Sequence, residues 1–579
     1  MSLRALLSRW IPLLTDLRTG DDRGRAQDLL AGTITAILLI PQALAYALLA
    51  GLPLQVGLYA SVVPVVVYAF LGSSRTLAVG PVAVAAVMVA GALTPYAAGD
   101  AQKYLEGALI LAALSGALLL TMGLLRMGWL THFISHPVLA GFTTGAAILI
   151  IVTQLPAMTG VNVPGGLGVI GTLHELALHP HAARLPAVAF GVMAVILLLL
   201  ARAPLIDLLQ RLGLARDRAQ LISRLAPLVL VLLAIVLSSQ LPPSLRPATI
   251  GELPLGLPGI DLGFLSAGGW LALLPSAALI ALIGYVESIS VARALAFRRK
   301  ERIDADQELI ALGASNLAAA GVGAMPVAGG FARSMVNFDA GARTQLSGLV
   351  TAAWVALAAL LFTGALSPLP KAVLAAIIVV AVWQLIDFKS LRNTWRYDRG
   401  DGSAQAATIA GVLLFGIEPG LLIGGGLALL LFLYRTSRPH IAVLGRVAGT
   451  EHFRNVNRRA VETWPNLLFV RIDENLYFAN VPRVESELQR LVLAHPGTEH
   501  VVLVLSGIGY VDASSLEMLD SFESALWEQR IQLHLAEIKG PVRDRLEGTQ
   551  LLEKLGTQRV HLSCQKALDA ILRGRPAVA

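Results

Sequence analysis

The sequence predicts an all-α polytopic membrane protein with a compact α/β domain at its C-terminal end, and three observations carry that expectation. Of 579 residues, 55% are hydrophobic and only 14% charged, against about 25% charged in soluble globular chains; the mean hydropathy is +0.69. The apolar residues arrive in blocks of roughly 17 to 25, the length that crosses about 30 Å of hydrocarbon at 1.5 Å per residue. Past Arg435 these blocks stop and charges become frequent.

The blocks define about fourteen spans, beginning near Leu29, Gly57, Leu77, Tyr104, Val138, Leu185, Leu225, Leu274, Gln307, Phe331, Leu346, Ala372, Ala404 and Gly420. Several are too short, or too interrupted by Gly and Pro, to cross as one continuous helix. The basic residues sort by loop. Arg75, Arg126, the Arg202 to Arg224 stretch, Arg298 to Arg302, Arg343 and Lys389 to Arg399 fall on one side, and only Lys103, Arg184, Arg246 and Lys371 on the other. Because Lys and Arg accumulate in cytoplasmic loops, an even number of spans with both termini inside is expected. The basic N-terminal stretch (Arg4, Arg9, Arg18, Arg23, Arg25) is broken by Pro12 and has no small-residue cleavage site, so no removable signal peptide is read.

After Arg435, Leu467 to Arg471, Val501 to Leu505 and Ile531 to Leu535 read as buried strands. Val481 to Leu493, Ser514 to Glu528, Val542 to Leu555 and Lys566 to Leu572 read as amphipathic helices. The resulting division is an N-terminal segment 1–27, a transmembrane domain 28–435 with halves at about 28–240 and 274–435, a connection 436–463, and an α/β domain 464–579.

Composition also excludes. A single cysteine, Cys564, allows no intramolecular disulfide, and no zinc or thiol-redox spacing is present. The net charge of +7 is spread over short loops rather than gathered on one basic face, which speaks for topology rather than nucleic acid. No phosphate-cradling Gly-rich loop of the Walker type appears, and no nucleophile, base and oxyanion group stand together. An enzyme is not expected, nor a metal.

The two halves carry matching interruptions. Val79-Gly80-Pro81-Val82 opens the third span, and Ala328-Gly329-Gly330-Phe331-Ala332-Arg333 opens the tenth, the third of its half. Paired broken helices at mid-membrane are where transporters built from inverted repeats hold their substrate. Two helix N-termini facing one cavity each present roughly half a positive charge, and Arg333 adds a full one. The structural alternative is that Gly and Pro ease close packing while Arg333 snorkels to a surface. Glu287 sits inside the eighth span, where burial favours the neutral acid, so that it can carry a proton beside an anion; the alternative is a helix-to-helix ion pair with Arg333. Gln42 and Tyr46, four residues apart after Pro41 interrupts the first span, share one face. They can donate to an oxyanion and close a pocket, or serve as interhelical hydrogen bonds.

These residues resemble the SulP family of anion permeases, whose eukaryotic relatives include sulfate, chloride and bicarbonate transporters. The resemblance rests on Ile40-Pro41-Gln42 through Leu58-Tyr59, Gly72-Ser73-Ser74-Arg75 with Val79-Gly80-Pro81, and Asp306-Gln307-Glu308-Leu309 with Asn316. Phe331-Ala332-Arg333-Ser334 and Gly341-Ala342-Arg343-Thr344 complete it. It implies a 7+7 inverted repeat divided into a substrate-bearing core and a gate, in a homodimer of a bacterial-type inner membrane. It implies substrate contacts at Gln42, Tyr46, Val82, Phe331, Ala332 and Arg333, with Glu287 tied to coupling by H+ or alternatively Na+. The C-terminal domain is similar to STAS domains, related to bacterial antagonists of anti-sigma factors. Val511-Asp512-Ala513-Ser514-Ser515-Leu516 places Ser514 where the soluble relatives are phosphorylated, and implies a cytoplasmic protein partner; the plainer reading is that Asp512 and Ser514 cap a helix. The chain departs from the family pattern at Ala328, Gly330 and Ala332, where many relatives carry hydroxyls. The functional expectation is alternating-access sulfate–proton symport without another cofactor. The alternatives are a sodium-coupled bicarbonate or C4-dicarboxylate transporter, an uncoupled anion channel, or a membrane-anchored scaffold or sensor.

Overall fold

The computed structural model describes residues 12–13, 22–133, 135–164, 167–242, 245–251, 256–361 and 363–573; Arg4, Arg9 and Arg18 of the N-terminal segment lie outside them. The chain forms two compact units, Met1–Ala428 and Leu429–Ala579.

The first unit begins with α1 (Asp22–Leu49), α2 (Leu54–Tyr59), α3 (Val63–Leu71), the two-residue strand β1 (Val79–Gly80), α4 (Ala83–Ala97) and α5 (Ala101–Leu124). Next come α6 (His136–Thr159), α7 (Gly168–Leu178), α8 (Leu185–Leu200), α9 (Ala203–Arg211), α10 (Arg216–Arg224) and α11 (Ala226–Gln240). The second half runs through α12 (Trp270–Arg299), α13 (Ala305–Gly321), β2 (Ala328–Gly329), α14 (Phe331–Asp339), α15 (Leu346–Leu361) and α16 (Thr363–Leu366). It closes with α17 (Lys371–Trp383), α18 (Phe388–Tyr397), α19 (Arg399–Phe415) and α20 (Ile417–Thr436).

Among the described residues, seven helices are long and apolar enough to cross a membrane, and up to nine when each of two bent pairs counts as one span. The other expected spans are shorter helices, among them α4 and α15. Thirteen of the fourteen expected starts fall within a helix or at its edge; Leu77 instead precedes β1 and an extended stretch. Two differences have local causes. α1 continues through Pro41, whose missing N–H costs one bond in a helix held on both sides by neighbours, so the first span is not interrupted. The basic stretch Lys389 to Arg399 folds mostly as α18, which sets Phe388, Trp395 and Tyr397 beside Lys389, Arg392 and Arg396, the make-up of a helix lying in a membrane interface.

The helices of this unit pack as two bundles. In one, α13 lies along α5 and α3, and α15 along α1, with α4, α12 and α14 completing the group. In the other, α6 packs on α19 and α17, and α8 on α17. The bundles meet chiefly where α17 and α11 touch α1 and where α4 touches α6. Because lipid tails are as apolar as leucine, such contacts depend on close backbone approach at small residues. A Cβ on Gly116 would stand 2.8 Å from the carbonyl oxygen of Gly313, and a Cβ on Gly313 would stand 2.5 Å from the Leu120 nitrogen.

The second unit holds β3 (Ile441–Arg446), β4 (Phe453–Asn455), β5 (Leu467–Ile472), α21 (Val481–Ala494), β6 (His500–Val504) and α22 (Ala513–Glu528). It ends with β7 (Gln532–Ala536), α23 (Gly540–Leu546), α24 (Gln550–Leu555), β8 (Val560–His561) and α25 (Cys564–Arg573). The sheet order is β4-β3-β5-β6-β7-β8, with β5 to β8 parallel and β3 antiparallel to both neighbours. Leu468, Val470 and Ile472 point to the face covered by α21 to α24, and Leu467 and Phe469 to the face covered by α25, so both sides are apolar. The segment 436–463, read from sequence as a connection, supplies β3 and β4; its Arg and His residues lie on an edge where alternate side chains reach water. The helix expected over Val542 to Leu555 is two, since Gly548 at φ +74 turns the chain between α23 and α24.

Replacing Gly313 by Leu must push α13 off α5, at a cost of about 1–3 kcal/mol or more. The expected result is a melting temperature lowered by several degrees for the detergent-purified protein in a fluorescence melt, with loss of monodispersity on gel filtration.

Candidate anion site at the crossing of two broken spans

β1 and β2 pair antiparallel, Val79 opposite Gly329 and Gly80 opposite Ala328. Each strand leads directly into a half-helix, α4 after N-cap Val82 and α14 after N-cap Gly330, and no side chain caps either start. The first-turn N–H groups of Ala83, Val84 and Ala85, and of Phe331, Ala332 and Arg333, are those a helix leaves without intrahelical partners. The crossing therefore brings two positively polarised helix ends to one place.

The rest of the interrupted backbone is satisfied by side chains. The Asn316 amide of α13 donates to the Val327 carbonyl (2.9 Å) and accepts from the Val327 N–H (2.9 Å), imitating a neighbouring strand. The Ser288 hydroxyl of α12 accepts from Gly329 N–H at 2.7 Å, and the Ser334 hydroxyl accepts from Ala78 N–H at 2.9 Å. Arg333 donates through Nε and Nη2 to the Ala78 carbonyl (3.3 and 3.2 Å) and through Nη1 to the Pro81 carbonyl (3.2 Å). Glycines make the room: a Cβ on Gly80 or Gly330 would stand 3.3 or 3.2 Å from Arg333 Nη2.

The residues named from sequence divide accordingly. Arg333 is only 3% exposed and binds carbonyls of the first break, so its charge reaches the crossing as a field from behind it. Phe331 and Ala332 are exposed at the start of α14, and Gln42 is half-buried on α1. Val82 packs with Ala85 and Ala328 into a small apolar wall. Tyr46, Glu287 and Arg333 interact electrostatically, which brings α1, α12 and α14 to a common centre. The alternative of a Glu287–Arg333 ion pair is not realised: among the described residues Glu287, half-buried on α12, makes no ion pair or hydrogen bond. In the second unit, Asp512 caps α22 by accepting from the Ser515 N–H (2.9 Å) and hydroxyl (2.7 Å). Ser514 takes no part in that cap and is exposed.

Other residues of the sequence motifs meet in a support. Glu308, fully buried, accepts from the Tyr68 hydroxyl (2.8 Å), the Ser73 N–H and hydroxyl (2.8 Å each) and the Ser74 N–H (2.9 Å). Gln345 donates to the carbonyls of Ser74 (2.6 Å) and Leu77 (2.9 Å), and Asp28 accepts from the N–H groups of Arg343 (2.6 Å) and Thr344 (3.0 Å). The loop ahead of β1 is thus tied to α13 and to the start of α15. Glu308 and Gln345 carried no sequence signal as supports beyond lying in or beside the motif runs, and Asp28, ahead of the first run, carried none.

Asn316→Ala bares both polar groups of Val327 at about 1–3 kcal/mol each. The expected outcome is a lower melting temperature together with a higher KM for anion uptake in vesicles; an unchanged KM would show that the amide does not hold the second half-helix.

Residues 26–408 match the sulfate permease family and residues 458–567 the STAS domain. The chain is 34% identical over 560 residues to sulfate transporter 4.1, chloroplastic, of Arabidopsis thaliana, covering 94% of this chain and 80% of that one. It is 33% identical over 568 residues to the probable sulfate transporter MT1781 of Mycobacterium tuberculosis (strain CDC 1551 / Oshkosh), covering 97% and 98%. Its fold matches the murine Slc26a9 anion transporter in the inward-facing state with a TM-score of 0.88 at 22% identity, over 99% of this chain and 95% of that one. The transmembrane domain of the cyanobacterial bicarbonate transporter BicA aligns with a TM-score of 0.59 at 23% identity, over 71% of this chain and 98% of that one. With the sulfate permease match spanning most of a multi-pass membrane unit and the STAS match falling on the α/β unit that follows, the chain belongs to the sulfate permease family as an anion transporter with a C-terminal STAS domain.

Proposed function

We propose that this transporter moves sulfate together with a proton by alternating access. The observation that carries the proposal is the pair of uncapped half-helices together with Glu287, which makes no ion pair or hydrogen bond among the described residues. The half-helix ends attract the anion, Arg333 strengthens their field from behind, and Gln42 and Tyr46 close the pocket from α1. Glu287 exchanges the proton. Sulfate is the substrate named for the 34% and 33% identical relatives. The bundle carrying α4 and α14 moves against the bundle built on α6, α17 and α19, and the narrow contact of α1 and α4 with that second bundle supports such a motion. The resemblance extends the proposal to a homodimer.

One observation favours a second reading, a sodium-coupled bicarbonate transporter. Ala328, Gly330 and Ala332 offer no hydroxyl donors, so recognition falls to backbone N–H groups, which a small planar anion can share as readily as a tetrahedral one.

Uptake of labelled sulfate, bicarbonate and succinate into proteoliposomes, with pH and sodium gradients imposed separately, tests both. Sulfate entering with an inward proton gradient supports the first reading, and uptake indifferent to both gradients removes coupling altogether. Glu287→Gln is expected to abolish acceleration by the proton gradient, at least tenfold, while anion exchange at zero gradient persists.

The basic loops support a topology with both termini in the cytoplasm. With Cys564→Ala as background, a cysteine at Lys103 should react with an impermeant maleimide added to intact cells, and one at Arg126 only after lysis; the reverse pattern would invert the orientation.

A further inference from the structure

Three histidines on three neighbouring strands of the C-terminal unit form one hydrogen-bonded row. His500 opens β6, His534 lies within β7 and His561 ends β8. Nδ1 of His500 stands 3.1 Å from Nε2 of His534, and Nδ1 of His534 stands 3.1 Å from Nε2 of His561. Both pairs of ring centroids are 5.3 Å apart. His534 is paired with Val502 across the sheet, and His561 with Ala536, so the row runs diagonally over the face that α25 covers.

We propose that this row is an acid-sensitive clasp, holding β8 and α25 on the sheet while it carries at most one extra proton and releasing them when a second one enters. The count of hydrogens requires it. Two N···N gaps take one hydrogen each. Three neutral imidazoles satisfy both, because His534 donates at one nitrogen and accepts at the other. A single added proton, on any of the three rings, still leaves one hydrogen per gap once the tautomers adjust. Two added protons, on any two rings, put three hydrogens into two gaps, and one N–H must face another at 3.1 Å.

Few surrounding charges can relieve this. From the turn before β8, Arg559 adds positive charge and is itself paired with Glu523 of α22 at 3.2 Å. Glu499 precedes His500 and accepts from Asn466 of the β5 side at 3.1 Å. At the far end, Glu537 after β7 receives the Cys564 thiol of α25 at 3.2 Å, and Arg471 of β5 is paired with Asp473. On α25, Lys566 and Arg573 are exposed and Asp569 accepts from Gln565. Among the described residues, neither His534 nor His561 is paired with a carboxylate. Burial, then the neighbouring rings and Arg559, push His534 down to about 3, and burial lowers His561 as well. Groups whose folded values lie below the unfolded one, about 6.5 for histidine, contribute stability that is complete above that pH and is lost as the pH falls below it.

The test is hydrogen exchange on the purified full-length chain in detergent between pH 7.5 and 5.5, with rates corrected for their intrinsic pH dependence. Peptides spanning 560–573 should lose protection steeply at the acid end. The opening constant should rise toward about 100-fold per pH unit, the signature of two protons taken up on release, while peptides of α21 keep their protection. In a variant carrying His500→Gln and His561→Gln, one titratable ring remains, and the dependence should fall to about tenfold per unit or less. Protection of 560–573 that does not change over this range in the wild type overturns the proposal, and so does a double variant with the wild-type slope.

Discussion

No backbone polar group can be left bare at membrane depth, and the architecture of this transporter turns on how that constraint is met where two spans break. An unsatisfied N–H or C=O in hydrocarbon costs several kcal/mol, which is why irregular chain inside a bilayer must be wrapped in protein or must line a cavity. Here the interrupted segments pair with each other as β1 and β2, and Asn316, Ser288, Ser334 and Arg333 take most of the groups that remain. The first turns of α4 and α14 receive no such partner from a side chain. The proposed anion site follows from that accounting: donors that the protein withholds from itself are available to a solute.

Holding those two turns in place demands a rigid frame, and the frame is polar where it could have been apolar. The carboxylate of Glu308 is fully buried, which is tolerable because four donors converge on it, and each belongs to α3 or to the loop leading into β1. Gln345 and Asp28 do the same for the approach to α15. Such networks are directional, so they fix register in a way that the small-residue contact of α5 with α13 cannot. The boundary between the two bundles, by contrast, runs through α1, α4, α6, α11 and α17, where packing rather than a dense polar network provides the contact. Stiffness within one bundle and smooth contact between bundles is the combination that the proposed alternating access requires.

The sequence was legible wherever a solvent or a period dictated the answer. Lipid demanded long apolar blocks, and nearly all of their starts coincide with helices; a parallel sheet buried on both faces demanded the apolar runs of β5, β6 and β7, which appear within a residue of their expected places. The matching glycine-containing breaks at Val79 and Ala328 were visible as well. Three things were not. Pro41 reads as an interruption, yet neighbouring helices carry α1 through it. The strands β3 and β4 are short and half exposed, so their composition resembles that of a connection. Arg333 reads as a side chain aimed at substrate, because no local pattern reveals that carbonyls of residues some 250 positions earlier claim its donors. Contacts of that separation are tertiary facts, and only their endpoints are present in the sequence.

The placement of Glu287 gives the proposed coupling a physical basis that needs no direct contact with substrate. Its carboxyl, Arg333 and the Tyr46 hydroxyl share one electrostatic environment. With the carboxylate charged, it offsets the guanidinium and weakens the pull on an incoming anion; once neutralised by a proton, it leaves the helix ends and Arg333 unopposed. Anion and proton therefore each favour the arrival of the other, and by thermodynamic reciprocity the enhancement is the same in both directions. An ion pair between Glu287 and Arg333 would have cancelled this linkage by fixing both charges. By committing Arg333 to the carbonyls of Ala78 and Pro81, the first break keeps the acid without a fixed partner, so the device that satisfies the backbone is also the one that frees Glu287 for the proposed proton exchange.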